Sequence, residues 1–395
     1  MNSAADSVFH QDDRAWMLEA LRLAELGVGK VEPNPAVGCV LVSQGKLIGS
    51  GFHARYGEAH AERVAIGQAK LLGNENRLSG CTAYVTLEPC CHHGKTPPCT
   101  DALLDIGASR VVVATQDPFA AVSGKGISLL RSAGIQVDVG LEAEAALQLN
   151  APYFKRLATG LPWVIAKWAM SLDGRIASST GNSQWISSET SRQWVHRLRG
   201  RVDAILVGRG TAQADDPLLT ARLPADQPPC RTALRVVIDS RLSLPVSSRL
   251  VQTAAQFPTL IWTTPLADLN RAQALRRAGC RVESSLSTQP SDNLQQLLQF
   301  LVQEYCTTNL LVEGGGQLLG SLFDLRQIDQ CEVFIAPKLI GGANAVSPLA
   351  GVGVSTIPSG PECHAVQFRA SDTDVHYSCR LRWPNRMLAH LRLMN

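Results

Sequence analysis

Strong charge of either sign is missing from this chain. Its 395 residues carry a formal net charge of +3. That is too little for a protein built around a nucleic-acid face, where a basic stripe is expected. Nor does the chain contain an apolar run of the ~18 residues that a membrane-spanning helix needs. The polar N-terminus, with Asp6, Asp12 and Asp13, lacks the pattern of a secretory leader. The 11 cysteines are odd in number and scattered without disulfide-like spacing, which argues against a secreted disulfide scaffold. These absences leave a soluble enzyme of the reducing cytoplasm as the expectation, with no nucleic-acid or membrane partner. The length favours two domains over one, and with 45% apolar residues both halves can bury a core. The arginines are expected to serve small anionic ligands.

What is present begins with His60-Ala61-Glu62 and, about thirty residues on, Leu87 to Cys99, which reads LEPCCHHGKTPPC. An H-x-E followed by Pro-Cys and a further Cys resembles the zinc site of nucleobase-type deaminases. The resemblance implies that His60, Cys90 and Cys99 hold one Zn²⁺ and that Glu62 moves protons. Three ligands leave one position of zinc's tetrahedron for water, the form of a catalytic site, and bound water has a pKa of about 7. A structural site closed by Cys91, His92 or His93 is the rival reading, and the placement of Glu62 weighs against it. Gly94-Lys95-Thr96 ends like a phosphate loop, but the glycine required five positions earlier is Pro89, so that reading fails.

Eight residues separate Cys90 from Cys99, where ordinary zinc deaminases have two. With this insert, the stretch is similar to the deaminase domain of the bifunctional riboflavin-biosynthesis deaminase–reductases (RibD type). The segment Pro33-Asn34-Pro35-Ala36-Val37-Gly38 matches the same family, which implies that Asn34 contacts the pyrimidine; His53 is a further substrate candidate. One position departs: the family has a second His two residues after the Glu, and this chain has Val64.

In order, residues 1–12 read as a tail. Asp13–Leu26 reads as an amphipathic helix, and Cys39–Val42 and Leu47–Gly51 as paired strands. His60–Leu72 reads as the zinc helix, Thr82–Thr86 as the strand feeding Cys90, and Thr100–Ile106 as a helix. Arg110–Thr115 and Ile135–Val139 read as strands around a helix at Ile127–Ala133. This alternation predicts a mixed sheet covered by helices. With the resemblance, it predicts a cytidine-deaminase-like three-layer α/β/α domain over 13–149, then a linker over 150–162.

Residues 163–385 form the expected second domain, with a tail over 386–395. Trp163–Ala169, Ala204–Val207, Val236–Ser240 and Leu310–Val312 read as strands. Met170-Ser171-Leu172-Asp173-Gly174-Arg175-Ile176, Gly181 to Ile186 and Thr211 to Arg222 resemble the family's reductase half, which implies a dihydrofolate-reductase-like α/β fold and NADPH as cofactor. Glu313-Gly314-Gly315-Gly316 opens a helix whose bare N–H groups suit phosphate; it is not a GxGxxG fingerprint. By resemblance, Ala169, Trp185, Thr211, Asp215, Ser240 and the run Gly315, Gly316, Gln317, Leu318, Leu319, Gly320 and Ser321 match cofactor-contacting positions. Ser183, Arg199, Leu218, Arg222 and Glu313 match substrate-contacting positions. Arg199 and Arg222 suit the substrate's ribose phosphate, because guanidinium binds phosphate bidentately. Lys167, with Asp215 and Glu313, is a candidate acid or base for opening the ribose ring, and the sequence does not rank the three.

The implied function is hydrolytic deamination of 2,5-diamino-6-(5-phosphoribosylamino)pyrimidin-4-one at zinc, then NADPH-dependent reduction of the ribosyl chain to ribityl. The alternative is a base or nucleotide deaminase whose second domain has decayed or become regulatory. A homo-oligomer through the reductase domain is left open.

Overall fold

The computed structural model describes residues 9–10, 12–93 and 97–384. The tail expected over 386–395, most of the tail over 1–12, and Gly94 to Thr96 lie outside the described residues. The chain divides into two compact units, one running to Ala158 and one beginning at Thr159.

In the first unit, α1 (Asp13–Glu25) turns Met17, Leu21 and Ala24 inward at helical spacing. The strands are β1 (Gly38–Ser43), β2 (Lys46–Phe52), β3 (Thr82–Val85), β4 (Arg110–Val113) and β5 (Gln136–Val139). They lie in the order β2-β1-β3-β4-β5. β1 is antiparallel to both neighbours and the rest are parallel, so the sheet is mixed, as expected. One face carries α2 (Ala61–Leu71), α3 (Cys99–Asp105) and α4 (Lys125–Ser132), packed over Leu41, Ile48, Val111 and Val113. The other face meets α1 and α5 (Ala143–Leu149) through Met17, Val40, Tyr84, Val112 and Ala146. Helix α2 lies close against β2 because Gly51 has no side chain; a Cβ there would sit 2.6 Å from the Ala65 nitrogen.

The segment expected as a linker is largely helix. Residues 151–159 form α6 (Ala151–Thr159), and Tyr153 and Phe154 are buried with Leu87 and Leu147. Asn150 separates α5 from α6. Its amide exchanges two hydrogen bonds with the Ala36 backbone, accepting at 2.8 Å and donating at 2.9 Å. Burial of an aromatic pair, not the polarity of the surrounding residues, decides where this stretch goes.

In the second unit the elements are β6 (Trp163–Ser171), α7 (Glu189–Arg199), β7 (Ala204–Gly208), α8 (Arg209–Asp215), β8 (Leu234–Ile238) and α9 (Arg249–Gln252). There follow β9 (Thr259–Thr263), α10 (Leu269–Arg277), β10 (Arg281–Ser284), α11 (Pro290–Tyr305), β11 (Asn309–Val312) and α12 (Gly316–Asp324). The last three are β12 (Gln330–Ala336), β13 (Glu362–Ser371) and β14 (Asp374–Arg382). The sheet runs β10-β9-β8-β7-β11-β6-β12-β14-β13. It is parallel as far as β12 and antiparallel across β14 and β13. The central parallel strands β7, β8, β9 and β11 are largely apolar and buried, as strands inside a parallel sheet are, while β10 at the edge is polar.

Candidate active sites

The first site forms where α2 and α3 begin. His60 is the N-cap residue of α2, with extended backbone that swings its ring away from the helix axis. Cys90 lies just after β3, and Cys99 opens α3. The long insert between the cysteines does not separate them. The N–H groups of Cys99 and Thr100 both donate to the Cys90 carbonyl, at 3.0 and 3.1 Å, so the excursion closes on itself. Arg63 binds the insert's return, donating to the carbonyls of Pro97 and Pro98. As a result His60 Nδ1 lies 3.5 Å from Cys90 Sγ and 3.4 Å from Cys99 Sγ. The three ligand atoms lie within 4.8 Å of one another. Zinc–sulfur and zinc–nitrogen bonds of about 2.3 and 2.0–2.1 Å fit such a triangle. It is the one such cluster among the described residues, and no fourth ligand joins it. Cys91, the nearest rival, directs its thiol 3.8 Å from the Ala121 carbonyl instead.

Glu62 sits in the first turn of α2 and is buried. Burial, then the neighbouring Cys90, raises its pKa, which suits a group that must both take up and release a proton. Cys90 is pulled down to about 4, first by the hydrogen bond from Cys99, against its burial, and then by His60. Its thiolate is thus favoured, as a zinc ligand requires.

His53 is only 3% exposed. Its Nδ1 is 3.1 Å from the Ala59 carbonyl and its Nε2 is 3.2 Å from the Asn34 side-chain amide. If Nδ1 carries the proton, both contacts are satisfied and the Asn34 oxygen is turned outward. Val64, at the position of the family's second His, is half-buried, and its Cβ is 2.7 Å from where a Cβ on Gly51 would lie. Glu88 was not anticipated. It is buried and accepts from the N–H groups of Asp117, Gly124 and Ile127, tying the Gln116-Asp117-Pro118 loop to the Cys90 turn.

The second site is a cavity of about 1540 Å³ at the C-terminal ends of the parallel strands. Nearly every reductase candidate lines it: Lys167 and Ala169 on β6, Ser183 and Trp185 on the loop after it, and Arg199 on α7. Thr211, Asp215, Leu218, Arg222 and Ser240 follow β7 and β8, and Glu313 follows β11. Gly315, Gly316, Gln317, Leu318, Leu319 and Ser321 complete it. Gly320 does not line it: a Cβ there would lie 2.0 Å from the Ala350 carbonyl oxygen, so this glycine permits close backbone packing. The glycine turn has the required form, with Gly314 at φ 94° and the Gly315 N–H donating to Thr211 Oγ1 at 2.9 Å. The N-terminus of α12 therefore faces the cavity with little side-chain cover, as a phosphate cradle needs.

Arg199, expected as a phosphate fork, has Nε and Nη2 on the two oxygens of Glu313, at 2.5 and 2.8 Å. Lys167 Nζ is 4.0 Å from the same carboxylate. Burial pushes Glu313 up, but Arg199 outweighs it and holds the group below its usual range. Burial lowers Lys167, with Glu313 opposing. Asp215 is raised by burial against the pull of Lys167. His196, missed in the sequence, lines the cavity and is lowered to about 4 by burial, then by Arg199 and Arg222. Arg235 was also missed. It is fully buried and donates to the carbonyls of Leu218, Leu250 and Phe257. It thereby fixes the loop that places Leu218.

Residues 162–377 match the RibD C-terminal domain, and residues 10–115 match the cytidine and deoxycytidylate deaminase zinc-binding region. The riboflavin biosynthesis protein RibD of Actinobacillus pleuropneumoniae is 39% identical over 92% of both chains. That of Escherichia coli is 39% identical over 92% of this chain and 98% of its own. Among solved structures, Acinetobacter baumannii RibD superposes with a TM-score of 0.82 at 33% identity, covering 94% of this chain and 99% of its own. A Thermotoga maritima diaminohydroxyphosphoribosylaminopyrimidine deaminase/5-amino-6-(5-phosphoribosylamino)uracil reductase gives 0.79 at 33% identity, with the same coverage.

Proposed function

The chain belongs to the RibD family of riboflavin-biosynthesis proteins, and from that premise we propose which of its residues carry each half of the chemistry. It is a bifunctional enzyme. The first unit is a zinc-dependent deaminase that hydrolyses 2,5-diamino-6-(5-phosphoribosylamino)pyrimidin-4-one. The second is an NADPH-dependent reductase that converts the ribosyl chain to ribityl. The intact, fully lined cavity of the second unit speaks against a decayed reductase.

For deamination, His60, Cys90 and Cys99 would hold zinc, which supplies Lewis-acid activation of a water. Glu62, buried in the first turn of α2, would serve as the proton carrier between the attacking water and the amine that leaves as ammonia. Asn34 orients the pyrimidine. His53 acts through Asn34, keeping its amide from turning over.

For reduction, NADPH supplies the hydride. The Gly315 turn and the start of α12 would receive its phosphates, and Ala169, Trp185, Thr211 and Ser240, which line the same cavity, would hold the rest of it. Arg222 takes the substrate's phosphate. Arg199 is engaged with Glu313 and serves instead to hold that carboxylate ionised beside Lys167. Lys167 is then the proton donor for ring opening of the ribose, because burial makes it a stronger acid than a surface lysine. We place the enzyme in the cytoplasm and assign it a homo-oligomeric state through its reductase half.

The zinc triangle beside Glu62 carries the first assignment. The test is ammonia release from the diaminopyrimidine phosphoribosyl substrate, with and without NADPH, alongside zinc analysis. Release that needs zinc and not NADPH, followed by NADPH oxidation, is the expected result. Ammonia release from zinc-free protein would overturn it.

A further inference from the structure

We propose that Cys363 and Cys379 form a reversible modification site, at which a low-molecular-weight disulfide converts the two thiols to an intramolecular disulfide fastening β13 to β14. Neither thiol is among the residues assigned to either reaction. Cys379 is buried in the middle of β14, while Cys363 is exposed on the edge strand β13. Their sulfurs are 3.3 Å apart, so they must close by about 1.2 Å to reach a bond of about 2.05 Å. The backbone between the strands has slack for that. The pairing places Cys363 opposite Leu381, then slips between His364 and Gln367, with Ala365 at φ 49° in the irregular step. A bulge of this kind bends its strand and leaves a residue outside the ladder. A third thiol, Cys331, faces Cys379 directly across the β12–β14 ladder. Cys331 and Cys363 also line an apolar cavity of about 360 Å³ with Trp168, Phe323 and Ile357, which offers room for an incoming reagent.

The chemistry divides between the pair by access and reactivity. Cys363 is the thiol that a reagent RSSR can reach; burial and then Cys379 raise it to about 11, so its attack is slow at neutral pH and quickens as pH rises. Its sulfur attacks one sulfur of RSSR, the reagent's S–S bond breaks, and a mixed disulfide forms with loss of RSH. Cys379 then attacks Cys363 Sγ, the mixed disulfide breaks, and the second RS leaves, taking the proton of Cys379 as RSH. Two thiols are oxidised and one RSSR is reduced to two RSH. Hydrogen bonding to Cys331, opposed by burial, and then to Cys363 brings Cys379 down to about 7, so a good part of it is thiolate at neutral pH. Thiolate is the form that resolves a mixed disulfide. Cys230 and Cys306 are exposed too, but neither has a hydrogen-bonded sulfur among the described residues, so each should keep a mixed adduct.

The test exposes the full-length, zinc-loaded protein to oxidised glutathione, quenches with acid, and maps unreduced peptides by mass spectrometry. The expected product joins the peptide of Cys363 to that of Cys379, carries no glutathione on either, and reverts with a dithiol reductant. Cys379→Ser should trap glutathione on Cys363. Cys363→Ser changes an exposed side chain, so the fold is kept, and it should abolish the link and leave Cys379 unmodified. That variant decides the matter if Cys379→Ser does not fold. A stable glutathione adduct on Cys363 in the unaltered protein, no reaction at Cys363, or a Cys331–Cys379 link in Cys363→Ser would overturn the assignment.

Discussion

The two sites are built on opposite plans. The deaminase centre is a triangle of three atoms, set by one helix cap, one turn and the first residue of another helix. The reductase cavity is assembled from the ends of several strands and the helices and loops that follow them, and at about 1540 Å³ it has room for a large cofactor. A small centre fixes distances between reacting atoms and fails abruptly when one atom is removed. A broad cleft spreads its binding over many backbone contacts and fails when its shape is spoiled. The first plan suits activation of one water, the second suits positioning a cofactor against a sugar.

The largest expected effects break that contrast on each side. Cys99→Ala should abolish zinc retention and deamination together, read by metal analysis and ammonia release. Glu62→Gln should keep zinc and lose about 10²-fold or more in deamination, while reducing the pre-deaminated ribosylaminouracil at a near-normal rate. Loss of that reduction without unfolding would show the units to be coupled. Gly315→Asp is the converse. It puts a side chain 3.2 Å from Thr211 Oγ1 and a negative charge where phosphates are expected. Reduction should fall by on the order of 10²-fold with ammonia release intact.

A third variant separates stability from chemistry. Arg110 is buried between Asp13 and Asp138, at 2.8 and 2.7 Å. Asp13→Ala leaves that cation short of one partner and should cost about 3–5 kcal/mol, seen as a lower denaturant midpoint for deaminase activity. Arg110 touches no residue assigned to the zinc centre, so a normal turnover number in the folded fraction is the matching expectation.

A smaller effect concerns pH. His196 has a folded pKa of about 4 against an ordinary 6.5. Between these values the unfolded chain binds the proton and the folded chain does not. Stability should therefore decline as pH falls from 6.5 toward 4, and show no contribution from His196 above that window. His196→Asn should flatten this part of the denaturation profile. An unchanged slope would mean that His196 is charged in the fold. The smallest effect belongs to Val64→His, expected to raise deaminase efficiency by up to ~10-fold through one hydrogen bond. Steady-state kinetics showing no change would mean that the pocket is complete without it.

These contrasts also explain what could be read in the sequence. The zinc centre was legible because its residues stand in an H-x-E and Pro-Cys pattern, and most strands because they are apolar runs between turns. The eight-residue insert was harmless for a reason the letters do not carry: two backbone hydrogen bonds to the Cys90 carbonyl close it. The reductase residues could be placed only by resemblance, since their convergence depends on strand order. That is why the Arg199–Glu313 pair and the role of Gly320 in packing came only from the fold. Arg235 was hidden for another reason. Nothing in a linear string shows that an arginine will be fully buried with carbonyls and hydroxyls as its partners.

The helix that follows Asn150 has a practical meaning for anyone dividing this chain into two monofunctional proteins. Asn150 grips the Ala36 backbone, and Arg156 donates to the Pro33 carbonyl at 2.9 Å. Together they bracket Asn34, which lies more than a hundred positions earlier in the chain. A cut placed before Asn150, where composition alone would put it, removes the clamp from the loop that carries Asn34 and leaves Leu87 and Leu147 without their aromatic cover. A cut after Ala158 keeps both. The stretch that looks like a dispensable tether is the last structural part of the deaminase, and a truncated version lacking it would be expected to bind zinc yet hold its substrate poorly.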